Sequence, residues 1–137
     1  VAEKLREAGH EVSTELLLPE GNVRPRESNV QLRKLPDIEE FDTVLVGGPV
    51  WAFEASPVVL AYLDTLSGLR GKKVLNFVTK ALPFGFTGGR RAVAQMNGAV
   101  ESRGAEVAEG EVFRYGMVRC SQQRIDEAAE RIAQRLP

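Results

Sequence analysis

Apolar runs of strand length alternate along this chain with stretches in which apolar residues recur every three or four positions. Val1, Leu5 and Ala8 share one side of a first helix, which Gly9 stops. Residues 11–18 read as a strand. Residues 19–36 are polar and rich in turn formers, so they are expected to be irregular. A short helix over 37–40 leads into 43–46, a β-branched apolar run suited to a strand covered on both faces, and Gly47, Gly48 and Pro49 stop it. Ser56 can accept a hydrogen bond from the first free amides of a helix over 56–66. Pro57 suits its first position, where the missing N–H would be unpaired anyway.

That helix buries Val59, Leu60, Leu63 and Leu66, and Gly68 and Gly71 bracket the turn into a strand over 73–79. A loop rich in glycine and phenylalanine over 81–89 opens a helix that runs to 103 on the stripe Val93, Met96, Val100, where Gly104 ends it. A strand over 105–113 follows. The last helix, 121–136, carries Ile125, Ala128, Ala129, Ile132 and Leu136 at helical spacing. Strands alternating with helices predict an α/β fold with a parallel sheet covered by helices on both faces.

At 137 residues, 43% hydrophobic and 27% charged, the chain suits a single domain over 1–137 with a real core. A net charge of −1 gives no general attraction to nucleic acid or to an anionic membrane. No apolar run approaches the length that spans a bilayer and no signal-peptide pattern occurs, so a cytoplasmic protein is the expectation. The lone cysteine, Cys120, excludes an internal disulfide; between Arg119 and Ser121 it could be a reactive thiol, although a small semi-buried residue is the plainer reading. His10, after the first helix, reads as structural, and no spacing supports a metal centre.

The run G-G-P-V-W-A-F-E-A-S-P over 47–57, the helix after it, and G-K-K-V-L-N-F-V-T over 71–79 resemble the middle of the flavodoxin family. The resemblance covers most of the chain. It implies a doubly wound sheet of order 2-1-3-4-5 in which the present strands are numbers two to five, so the domain is N-terminally incomplete, without the first strand. It also implies flavin mononucleotide (FMN) as cofactor, with electron transfer or oxidoreductase activity. Pro49, Val50, Trp51, Ala52 and Phe53 would line one side of the flavin ring, and Thr79, Lys80, Phe84, Gly85 and Phe86 the other. NAD(P)H or a redox protein would be the electron partner, and a homodimer stays open.

In the family, the loop after the first strand wraps the flavin phosphate with backbone amides. No residue here inherits that role, so FMN binding by this chain alone is expected to be weak or absent. The gap at the centre of the sheet has three explanations: a fragment, a sheet that closes up, or a second protomer that fills it. Family members that stabilise a one-electron-reduced flavin usually carry glycine in the first flavin loop. Ala52 and Phe53 tolerate positive φ less well, which predicts two-electron hydride transfer.

Against these readings stands a flavin-free module of the same fold, in which Trp51 is a packing residue and the phenylalanines form an empty lid. Arg90 and Arg91 open a helix and could attract a phosphate or an acidic partner, although a solvated basic helix start is the plainer reading. A phosphate-receiving signalling domain would need an aspartate where Gly47-Gly48-Pro49 stand. A hydrolase would need a nucleophile elbow, and none occurs.

Overall fold

The computed structural model describes residues 1–81, 87–114 and 122–136. Its elements are α1 (Ala2–Glu7), β1 (Thr43–Trp51), β2 (Glu54–Ala55), α2 (Pro57–Leu63), β3 (Lys73–Lys80), α3 (Gly89–Glu101), β4 (Glu106–Val107), β5 (Glu111–Arg114) and α4 (Gln122–Arg135). β3 is central, with β1 parallel on one side and β4 and β5 parallel on the other. Among the described strands only β2 runs antiparallel, against the end of β1.

Alternation along the strands sends side chains to two separate cores. Val44, Val46, Val74 and Val78 meet Val59, Tyr62 and Leu63 of α2 and Ala92, Met96 and Val100 of α3. Leu75 and Phe113 meet Ala128 and Ile132 of α4, with Val1, Leu45 and Phe77 packed at the margin. Each fully buried aliphatic side chain contributes roughly 1.5–3 kcal/mol. Two apolar faces thus fix helices on both sides of one sheet, as the alternation of elements predicts.

Four local expectations are corrected. Residues 11–18 form no strand. They are the outgoing limb of a long strap in which 18–20 run antiparallel to 31–33, joined by Glu20 N–H to Gln31 O at 2.9 Å and Arg33 N–H to Leu18 O at 2.9 Å, with a single bridge between Pro19 and Leu32. The apolar run there has no neighbouring strand to pair with: among the described residues the outer edge of β1 is paired only at Val50 and Trp51, by β2. The sheet therefore does not close up with 11–18. Residues 37–40 make a turn, not a helix, where Asp37 Oδ1 accepts the Glu39 amide at 2.9 Å.

The strand expected over 105–113 is split into β4 and β5. Leu75 and Asn76 of β3 stand opposite three residues, 108–110, so the outer strand carries one extra residue, a bulge. Gly110 makes it feasible, since a Cβ there would lie 2.6 Å from the Asn76 carbonyl oxygen. Ser56 does occupy the N-cap of α2 and Pro57 its first position, but the serine makes no side-chain cap bond. It is buried beneath Gly48, whose absent Cβ would sit 3.9 Å from the serine Cβ.

Candidate functional site

Because β1, β3 and β5 are parallel, their carboxyl ends share one edge of the sheet, where Pro49, Thr79 and Phe113 stand side by side. Beyond Pro49, β1 continues into a structure that sequence reading misses. Val50 and Trp51 pair with Ala55 and Glu54, and the chain reverses through Ala52 and Phe53 at φ 50° and 66°. Positive φ at both central residues is the geometry of a type I′ turn, which normally takes Asn or Gly. An L-residue in this region costs roughly 1–2 kcal/mol. Two consecutive non-glycine residues there mark strain that the surroundings must hold.

Those surroundings are explicit. The Ala55 amide donates to Gln95 Oε1 at 2.9 Å, and Arg91 Nη2 lies 2.6 Å from Glu54 Oε1, so α3 grips the returning strand at two points one helical turn apart. From the other side, Arg26 at the tip of the strap donates from Nη2 to the Ala52 carbonyl at 3.1 Å and lies 3.6 Å from Glu54 Oε2. Arg91 is therefore engaged with Glu54, while Arg90 beside it is exposed. Nothing in the sequence signals Arg26. Its role depends on a strap that brings residues 26 positions apart together.

The turn at 52–53 and the residues that open α3 form two crests at this edge, and they meet at Gly88. Gly88, at φ 89°, receives the backbone of Phe53 so closely that a Cβ would fall 2.2 Å from the Phe53 carbonyl oxygen. With the backbone seated there, the side chains of Trp51 and Phe53 remain 36% and 49% exposed. Large aromatics left in solvent at the carboxyl edge of a parallel sheet are available to a flat ligand.

The other sequence-predicted residues divide. Pro49 is exposed and Val50 half-buried. Thr79 borders an apolar cavity of about 290 Å³ with Val1, Phe77, Phe113, Arg114 and Ile125, on the α1 and α4 side of the sheet. Lys80 points to the opposite face and is 4% exposed, its ammonium donating to Thr87 Oγ1 at 3.0 Å. Burial first, and Arg114 second, holds its pKa below the ordinary lysine value. Lys80 thus ties the start of α3 to the sheet. Phe84, Gly85 and Phe86 lie outside the described residues, as does Cys120. No group of three or more His, Cys, Asp or Glu that could hold a metal ion occurs among the described residues.

No family model matches the chain, and no curated protein matches it in sequence. Solved structures do. Oxidised flavodoxin 2 from Bacillus cereus superposes with a TM-score of 0.53 at 20% identity over 68% of this chain. The fold is flavodoxin-like. This chain spans 63% of the length of that flavodoxin. A thermophilic tryptophan halogenase (Th-Hal) from Streptomycin violaceusniger matches with a TM-score of 0.50 and 19% identity, over 71% of this chain and 67% of its own. A flavoprotein in complex with FMN from Lactobacillus acidophilus matches with a TM-score of 0.48 and 23% identity, over 74% of this chain and 57% of its own. At such identities the likeness is one of fold. In flavodoxin-like terms, β1, β3 and β4–β5 take the places of the third, fourth and fifth strands, and no helix among the described residues is long and apolar enough to cross a membrane.

Proposed function

We propose that this chain supplies the ring-binding edge of an FMN-dependent electron carrier or oxidoreductase. One observation carries the reading: the Phe53 backbone seats on Gly88, leaving the Trp51 and Phe53 rings exposed at the carboxyl edge of a parallel sheet. Trp51 and Phe53 would offer apolar faces to the isoalloxazine, Pro49, Val50 and Ala52 would shape that side, and Thr79 would offer a hydroxyl at its polar edge. FMN, when bound, supplies the redox chemistry, and the protein positions the ring and limits access to it. The phosphate is assigned to no residue of this chain.

Titration of the purified chain with FMN tests this directly. Binding should quench the emission of Trp51, the only tryptophan, and the bound complex should be yellow. Riboflavin, which has the ring without the phosphate, should bind within about tenfold of FMN, because a lost set of charge-assisted hydrogen bonds would otherwise widen the gap. Binding without the phosphate loop is expected to be weak, so the titration runs to about millimolar flavin, and absence of quenching by either ligand at that concentration defeats the reading. A flavin-free interaction module is the second reading, favoured by the exposed leucines of the strap, Leu16, Leu18 and Leu35.

A further inference from the structure

The strained turn at Ala52 and Phe53 is held from the strap by one side chain whose own backbone is also unusual. Arg26 sits at φ 60°, following Pro25, in a turn closed by the Glu27 amide on the Arg24 carbonyl at 3.2 Å and tightened by the Arg24 amide on Glu27 Oε2 at 2.6 Å. Proline followed by positive φ is the pattern of a type II turn, whose third position favours glycine or asparagine. Arginine stands there instead, and its guanidinium reaches both the Ala52 carbonyl and the Glu54 carboxylate.

We propose that Arg26 is a positioning residue: it latches the turn at Ala52 and Phe53 in its left-handed conformation, so that the seating of the strap's tip sets the presentation of the Trp51 and Phe53 rings. The carbonyl of Ala52 faces the guanidinium, and in a planar trans peptide the Phe53 N–H then points the opposite way. Withdrawing Arg26 leaves that carbonyl without its charged donor while α3 continues to hold Glu54 and Ala55. The peptide between the two strained residues is the part that gains freedom. A carbonyl bonded to a charged donor resists reorientation by about tenfold in population relative to one bonded to water.

The consequence for a flavin rests on the function proposed above, whereas the latch is a property of the flavin-free chain, and the experiment keeps them apart. Backbone ¹⁵N order parameters at Ala52 and Phe53, and acrylamide quenching of Trp51, are measured without flavin in wild type, Arg26→Ala, Arg26→Gly and Arg24→Ala. The wild type should show rigid values near about 0.85, falling below about 0.6 in both Arg26 variants with greater quenching, while Arg24→Ala resembles wild type. Arg26→Gly relieves the strap's own backbone strain, so loosening in that variant cannot be ascribed to a poorly folded strap. Unchanged order parameters and quenching in both Arg26 variants overturn the latch, whatever FMN does. A response at Trp51 in a chain that ignores FMN supports the latch and defeats only the proposed function.

Discussion

Gly88 is the position where the two crests of the site meet, and it does two jobs that a larger residue cannot do together. It takes φ 89° at the N-cap of α3 and leaves room for the Phe53 backbone. Gly88→Ala should therefore destabilise the fold by about 2–4 kcal/mol, combining left-handed strain with overpacking against backbone. Gly68 separates the two contributions: it has φ 68° but open space around it, so Gly68→Ala should cost only about 1–2 kcal/mol. Denaturant unfolding measures both, and the difference is the contact that makes the crests converge. Equal losses in the two variants would show that the crests do not press on one another. At this scale the sequence disclosed the aromatics but not their setting, because Ala52 and Phe53 carry no turn signal and a search for Asn-Gly or Gly-X passes over them.

Among the elements, the helices and the two long parallel strands were legible because their burial follows local periodicity: Met96 and Val100, Ala128 and Ile132, and the runs in β1 and β3 lie where their spacing puts them. The strap was not legible, since whether 11–18 pairs in a sheet depends on a neighbour that local pattern cannot supply. Its attachment to α2 runs through Tyr62, 4% exposed, whose hydroxyl donates to the Pro36 carbonyl at 2.7 Å. Burial, with Asp37 and Glu15 adding to it, raises the tyrosine pKa above 10.0. The folded state thus keeps its proton where the unfolded chain has begun to lose it, and stability contributed by the neutral hydroxyl is whole below about pH 10 and lost above it. Tyr62→Phe should cost about 1 kcal/mol at neutral pH. The gap between the two proteins should narrow as pH climbs past 10, followed by chemical denaturation at successive pH values, and a constant gap would mean that the hydroxyl does not titrate differently on folding.

For the molecule as a whole, the sheet is covered on both faces, while among the described residues the outer edge of β1 is paired only at Val50 and Trp51. Backbone donors and acceptors on such an edge, next to apolar side chains, are a template for association. Leu16, Leu18 and Leu35 are 75%, 51% and 55% exposed, and the antiparallel limbs of the strap bring them to one region, where Lys34 pairs with Glu15 at 3.0 Å. Leu17 and Leu32, by contrast, pack on the core and hold the strap down. Replacing the three exposed leucines with lysine should leave the unfolding free energy within about 0.5 kcal/mol per site, because little is buried there to lose. The same variant should stay monodisperse in static light scattering at concentrations where wild type grows in mass, since each lysine replaces exposed apolar surface with charge. Should the triple variant associate as strongly as wild type, the strap's apolar surface is not what draws copies together, and the unpaired backbone of β1 becomes the part of the molecule to block, by a proline at a position whose N–H faces outward.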